Sequence, residues 1–150
     1  MHVKTLRHTA AAALLLAAAV LSQAQTIVRA AVTPDAELLN AVRKCKVISA
    51  DYPLRVSKSG TEVYVTTLID PKTTDKDRKI DAVMVAKAVM DADKSVLISH
   101  FRLKRRMADR EFEAVVVKQS DVKAYGTRAI DVNSLLGQLK VVQRTMSRKQ

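Results

Sequence analysis

The sequence predicts an α+β fold: a four-stranded antiparallel sheet built from two hairpins, in the order α-ββ-α-ββ-α-α, with the helices packed on one face. Three observations predict it. Apolar and polar residues alternate with period two in two separate regions, each containing turn chemistry between two runs. A long stretch with helical apolar spacing, Ile80 to Met90, separates those regions. Capping residues stand where helices would have to begin.

The first helix is expected over 34–45. Thr33 followed by Pro34 reads as an N-cap with proline at the first helical position, where its missing N–H costs nothing. Asp35 and Glu37 suit the positive end of the helix dipole, and Leu38, Leu39 and Val42 fall on one side. A strand near 47–57 follows, and Pro53 makes it irregular or places it at a sheet edge. Ser57-Lys58-Ser59-Gly60 is a turn with glycine available for positive φ. Thr61, Val63 and Val65 then alternate with Glu62, Tyr64 and Thr66.

Thr74 with Asp77 three residues on forms a capping-box start for the central helix, which runs to about Asp91. Its broad apolar surface predicts tight packing against the sheet. Val96 to Lys104 is β-rich, with Leu97, Phe101 and Leu103 facing one way and His100, Arg102 and Lys104 the other. Arg105 to Arg110 is a charged loop, and Phe112 to Lys118 returns as a strand. Ser120 is expected to cap a short helix that stops near Gly126. Asp131 is expected to cap a last helix that presents Leu135, Leu136, Leu139 and Val142.

Ahead of this domain, residues 1–24 read as a cleavable signal peptide. Lys4 and Arg7 form a cationic head, and a 13-residue apolar run extends from Thr9 to Leu21. Ser22-Gln23-Ala24 supplies small residues for cleavage between Ala24 and Gln25. The run is short of the roughly 20 residues a bilayer span requires. The organisation read from the sequence is therefore a signal at 1–24, a lead segment at 25–32, one α+β domain at 33–146 and a basic tail at 147–150. Export to the periplasm or the medium follows, with no transmembrane segment after processing.

Composition narrows the partners. The full chain carries a formal charge of +11, and removal of the leader leaves 24 basic against 15 acidic residues. Such an excess favours an anionic surface or an acidic protein. Nucleic acid is disfavoured, because the chain has no Trp for a stacking platform and export removes it from cytoplasmic DNA and RNA. Cys45 is the single cysteine, which excludes an intramolecular disulfide. It reads as a small apolar residue at a helix end; a thiol activated by Arg43 and Lys44, or an intermolecular bridge, is the alternative.

The search for chemistry gives little that suggests an enzyme. Once the leader is removed, His100 is the single histidine, and nearby cations should disfavour its protonation. No zinc, phosphate-loop, nucleophile-elbow or dithiol motif occurs. Asp70, Asp75 and Asp77 are interrupted by Lys72 and Lys76 and lack the glycine of a calcium loop. No catalytic, cofactor-binding or metal-binding residue is assigned, and no cofactor is expected. The candidate site is a basic cluster at a hairpin tip, Arg102, Lys104, Arg105, Arg106 and Arg110. The expected function is that of an exported, non-enzymatic accessory or binding module. The alternatives are a small enzyme using His100, Glu111 and Glu113, or a self-associating structural protein.

Overall fold

The computed structural model describes residues 34–147, which form one α+β domain. The leader, the Ala24–Gln25 junction, the lead segment, the Thr33 cap and tail residues 148–150 lie outside the described residues. In chain order the elements are α1 (Pro34–Lys44), β1 (Leu54–Ser59), β2 (Glu62–Leu68), α2 (Asp75–Ala92), β3 (Ile98–Lys104), β4 (Glu111–Lys118), α3 (Gln119–Gly126), α4 (Val132–Gln138) and β5 (Val141–Thr145).

The sheet has five strands in the order β1-β2-β3-β4-β5, and it is mixed. The two expected hairpins are present, β1 with β2 and β3 with β4. They meet through a parallel pairing of β2 with β3, which corrects the expected all-antiparallel arrangement. The reason is the connection. The 18 residues of α2 span about 27 Å, about the length of a seven-residue strand, so the helix carries the chain back to the end where β2 began. A strand entered from that end must run parallel to its neighbour.

The fifth strand corrects the reading of the C-terminal region. Leu135, Leu136, Leu139 and Val142 mimic one helix face, but α4 stops at Gln138 and Leu139 is already extended at ψ 143°. The β-branched run that follows pairs antiparallel with β4, Val142 beside Ala114 and Arg144 beside Phe112.

Several local readings hold. Thr74 and Asp77 form a reciprocal capping box, and Asp131 accepts from the Ser134 N–H at the start of α4. Gly60 takes the expected positive φ, +58°, but the turn is shorter than expected: Ser57, Lys58 and Ser59 pair within β1, and the loop is Gly60-Thr61. β1 is an edge strand, as Pro53 requires, but it begins only at Leu54. Val47 and Ile48, which imitate its start, pack onto the core from an irregular loop. Arg43 pins that loop by donating to the carbonyls of Ser49 (3.0 Å) and Tyr52 (2.9 Å). Ser120 does not cap α3; its hydroxyl turns to Asp121, and Gln119 instead donates to the Val96 carbonyl.

The core lies between the sheet and the helices. Ala82, Val85, Ala86, Val89 and Met90 of α2 meet Val63, Val65, Phe101, Val115 and Val117 of the sheet, with Leu38 and Val42 of α1 alongside. Ile80 and Met84 stay exposed, so the buried stripe of α2 is narrower than its apolar composition implies. Among the described residues, no helix is long and apolar enough to cross a membrane.

Candidate functional site

Strand parity divides the sheet into two faces. Val63, Val65 and Thr67, Ser99, Phe101 and Leu103, and Glu113, Val115 and Val117 point toward the helices. The opposite face carries Glu62, Tyr64 and Thr66 of β2, His100, Arg102 and Lys104 of β3, Phe112 and Ala114 of β4, and Arg144 of β5. No residue of the described helices lines the hollow on this second face, although Thr66, Lys104, Phe112 and Ala114 are themselves buried there.

The expected basic cluster is divided by this geometry. Lys104 is buried, at 5% exposure. Its ammonium donates to the carbonyls of Asp109 (2.6 Å) and Met107 (3.2 Å), so it acts as a strut beneath the β3–β4 loop. Arg102 also leaves the tip and lies flat on the open face. Arg105, Arg106 and Arg110 remain exposed at the tip. Arg106 pairs with Asp109 at 3.0 Å, and Arg110 donates to the Met146 carbonyl at 2.7 Å. Arg144 joins them from β5, since it shares with Arg105 a hollow of about 500 Å³ at the end of the sheet.

The open face holds a cluster that the sequence reading missed. Tyr64 and His100 are register partners across the parallel pair, and their rings stack at 4.6 Å between centroids with a 19° interplanar angle. Both bond to one oxygen of Glu62: the Tyr64 hydroxyl donates at 2.6 Å, and His100 Nε2 lies at 3.0 Å. The Arg102 guanidinium lies over the Tyr64 ring at 4.1 Å and near the Phe112 ring at 5.1 Å.

The electrostatics follow from these contacts. The Tyr64 and His100 hydrogen bonds hold the Glu62 carboxyl below its usual value, and the Glu62 carboxylate raises the Tyr64 phenol. Burial pulls the His100 imidazole down, with Arg102 and Arg144 adding to the effect and Glu62 opposing it. At neutral pH the cluster therefore comprises a carboxylate, a neutral imidazole, a neutral phenol and two guanidiniums.

The carboxylates considered for an enzyme do not converge on His100. Glu113 points to the helix side, where it binds Arg78 at 2.6 Å and accepts from Gln143 at 3.0 Å. Glu111 shares its parity and is exposed. The acidic loop residues bond locally: Asp70 accepts from the Lys72 N–H, Asp91 pairs with Lys87 and Lys94, and Asp93 pairs with Lys58. Cys45 is half-buried against the core, and its thiol donates to the Val42 carbonyl. Among the described residues, no three His, Cys, Asp or Glu side chains gather in a group able to hold a metal ion.

Fold and site together define a small α+β domain with one helix-covered sheet face and one open face that is basic and aromatic. Set beside known protein families, curated proteins and solved structures, the chain matches none.

Proposed function

We propose that this protein is an exported, non-enzymatic accessory or binding module that meets an anionic envelope component or an acidic protein through its basic hairpin tip. The observation that carries the reading is the grouping of exposed Arg105, Arg106 and Arg110 on the β3–β4 loop with Arg144 of the adjoining edge strand. Residues 1–24, with their cationic head, short apolar run and small-residue junction, support the exported location.

Magnitude favours an extended partner over a single small ion. An exposed ion pair contributes about 0.2–1 kcal/mol, so four such arginines together reach only about 1–4 kcal/mol. That corresponds to millimolar binding or weaker for one contact set. A polymer or surface that offers many anions raises occupancy by keeping the next site close.

Retention on anionic liposomes and on anionic cell-wall polymer, at low and moderate salt, tests the reading. The expected result is retention that weakens with salt and is largely lost when Arg105, Arg106 and Arg110 are all replaced by Ser. Equal retention of the triple variant removes the tip from consideration.

A further inference from the structure

We infer that the open sheet face carries a second site: a receptor for a small organic monocarboxylate, gripped by the Arg102 guanidinium with Arg144 beside it.

The Arg102 guanidinium lies with its central carbon over the Tyr64 ring at 4.1 Å and over the Phe112 ring at 5.1 Å. Its N–H donors lie in the plane of the group, five of them in a rigid fork. Among the described residues, none of those donors has an acceptor, and Arg102 has no carboxylate partner. The side chain is only partly exposed, and burial already lowers its pKa. A half-buried guanidinium held over two aromatic rings, with no hydrogen-bond acceptor among the described residues, can take a planar acceptor that bonds two N–H groups at once, which is the geometry of a carboxylate.

The surroundings match that occupant. Tyr64, His100, Arg102, Phe112, Ala114, Arg144 and Met146 line an open hollow of about 780 Å³ on this face, within the size range of small-molecule sites. The exposed Met146 gives it an apolar portion on which the body of a ligand can rest. Charge selects the class of anion. Arg102 and Arg144 line the hollow with two positive charges, and the Glu62 carboxylate, outside the lining but bonded to Tyr64 and His100, offsets them in part, so the hollow favours an anion of low charge. A monocarboxylate meets that need, whereas a phosphomonoester dianion exceeds it beside the Glu62 carboxylate.

The site shares Arg144 with the hairpin-tip grouping but differs from it in its main anchor. Arg102 lies on the sheet, and Arg105, Arg106 and Arg110 do not line this hollow.

Benzoate, its neutral isostere benzamide and phenylphosphate serve as probes for the full chain, with Arg side-chain N–H resonances and calorimetry as readouts. Benzoate should bind saturably and shift the Arg102 Nε–H resonance, with benzamide and phenylphosphate each at least about tenfold weaker. Arg102→Lys keeps the charge but loses the fork and should weaken benzoate about tenfold or more. Arg105→Ser should leave benzoate binding unchanged even where it weakens retention on anionic surfaces. The wild-type probe comparison stands even if an Arg102 variant folds poorly. The proposal is overturned if millimolar benzoate gives no saturable shift, if benzamide or phenylphosphate binds as well as benzoate, or if a folded Arg102→Lys variant binds like the wild type.

Discussion

Replacing Glu113 with Ala should remove a clasp between helix and sheet. Glu113 holds Arg78 of α2 at 2.6 Å and accepts from Gln143 of β5 at 3.0 Å, so one carboxylate joins α2, β4 and β5. Both members of the ion pair are largely shielded, with side-chain exposures of 15% and 17%. Breaking a fully buried pair costs about 3–5 kcal/mol, and an exposed one at most about 1 kcal/mol. Arg78 keeps the Thr73 carbonyl at 3.1 Å and Asp75 at 3.3 Å after the change, which places the loss between those limits, at about 2 kcal/mol. Glu113→Gln retains an acceptor oxygen and should lose about half as much. Urea unfolding followed by far-UV circular dichroism gives the values, and a double-mutant cycle with Arg78→Met isolates the pair. A loss below about 0.5 kcal/mol for Glu113→Ala, or strict additivity in the cycle, would refute the clasp.

Three further outcomes follow from the same structure. The Ser99 hydroxyl is buried between sheet and helices with no hydrogen-bond partner among the described residues, so Ser99→Ala should raise stability by about 1 kcal/mol; a loss in urea unfolding would contradict this. Lys58, the Ser95 hydroxyl and the Ser95 N–H hold the Asp93 carboxyl down at about 2, against 3.8 for a free aspartate. That lowered value contributes stability fully present above about pH 4 and lost as pH falls toward 2; an acid titration of Lys58→Met should show a shallower decline over this window, and an unchanged decline would rule the pair out. N-terminal sequencing of protein recovered outside the cytoplasm should begin at Gln25, whereas an intact Met1 there would overturn the leader reading.

What was legible in the sequence was local. Period-two alternation around Val63 and Val65 marked β2, and Thr74 with Asp77 marked the first turn of α2, because each signal lies within a few residues. The parallel join of β2 to β3 was not legible, because it depends on where an 18-residue helix returns the chain. That join creates the aromatic–basic cluster. Glu62 and His100 are 38 positions apart and meet only through the register that sets Tyr64 beside His100. Parity alone already placed His100, Arg102 and Lys104 on one face and Glu62 and Tyr64 on one face; the missing step was that these faces adjoin. Arg144 was hidden for a different reason. Val142 continued the leucine spacing of α4, so the last strand was absorbed into a helix. Lys104 shows the limit of reading a charge run as a surface, since its long apolar stem let the sheet bury it while the loop carbonyls took its ammonium.

Residue-resolved mapping of an anionic polymer on the protein tests the central claim most directly. Titrating labelled full chain with polyglutamate at low salt should shift backbone amides of the 105–110 loop and of β5 around Arg144, with the shifts collapsing as salt rises. Shifts centred instead on α1 or the exposed side of α2, or none at all, would contradict the account.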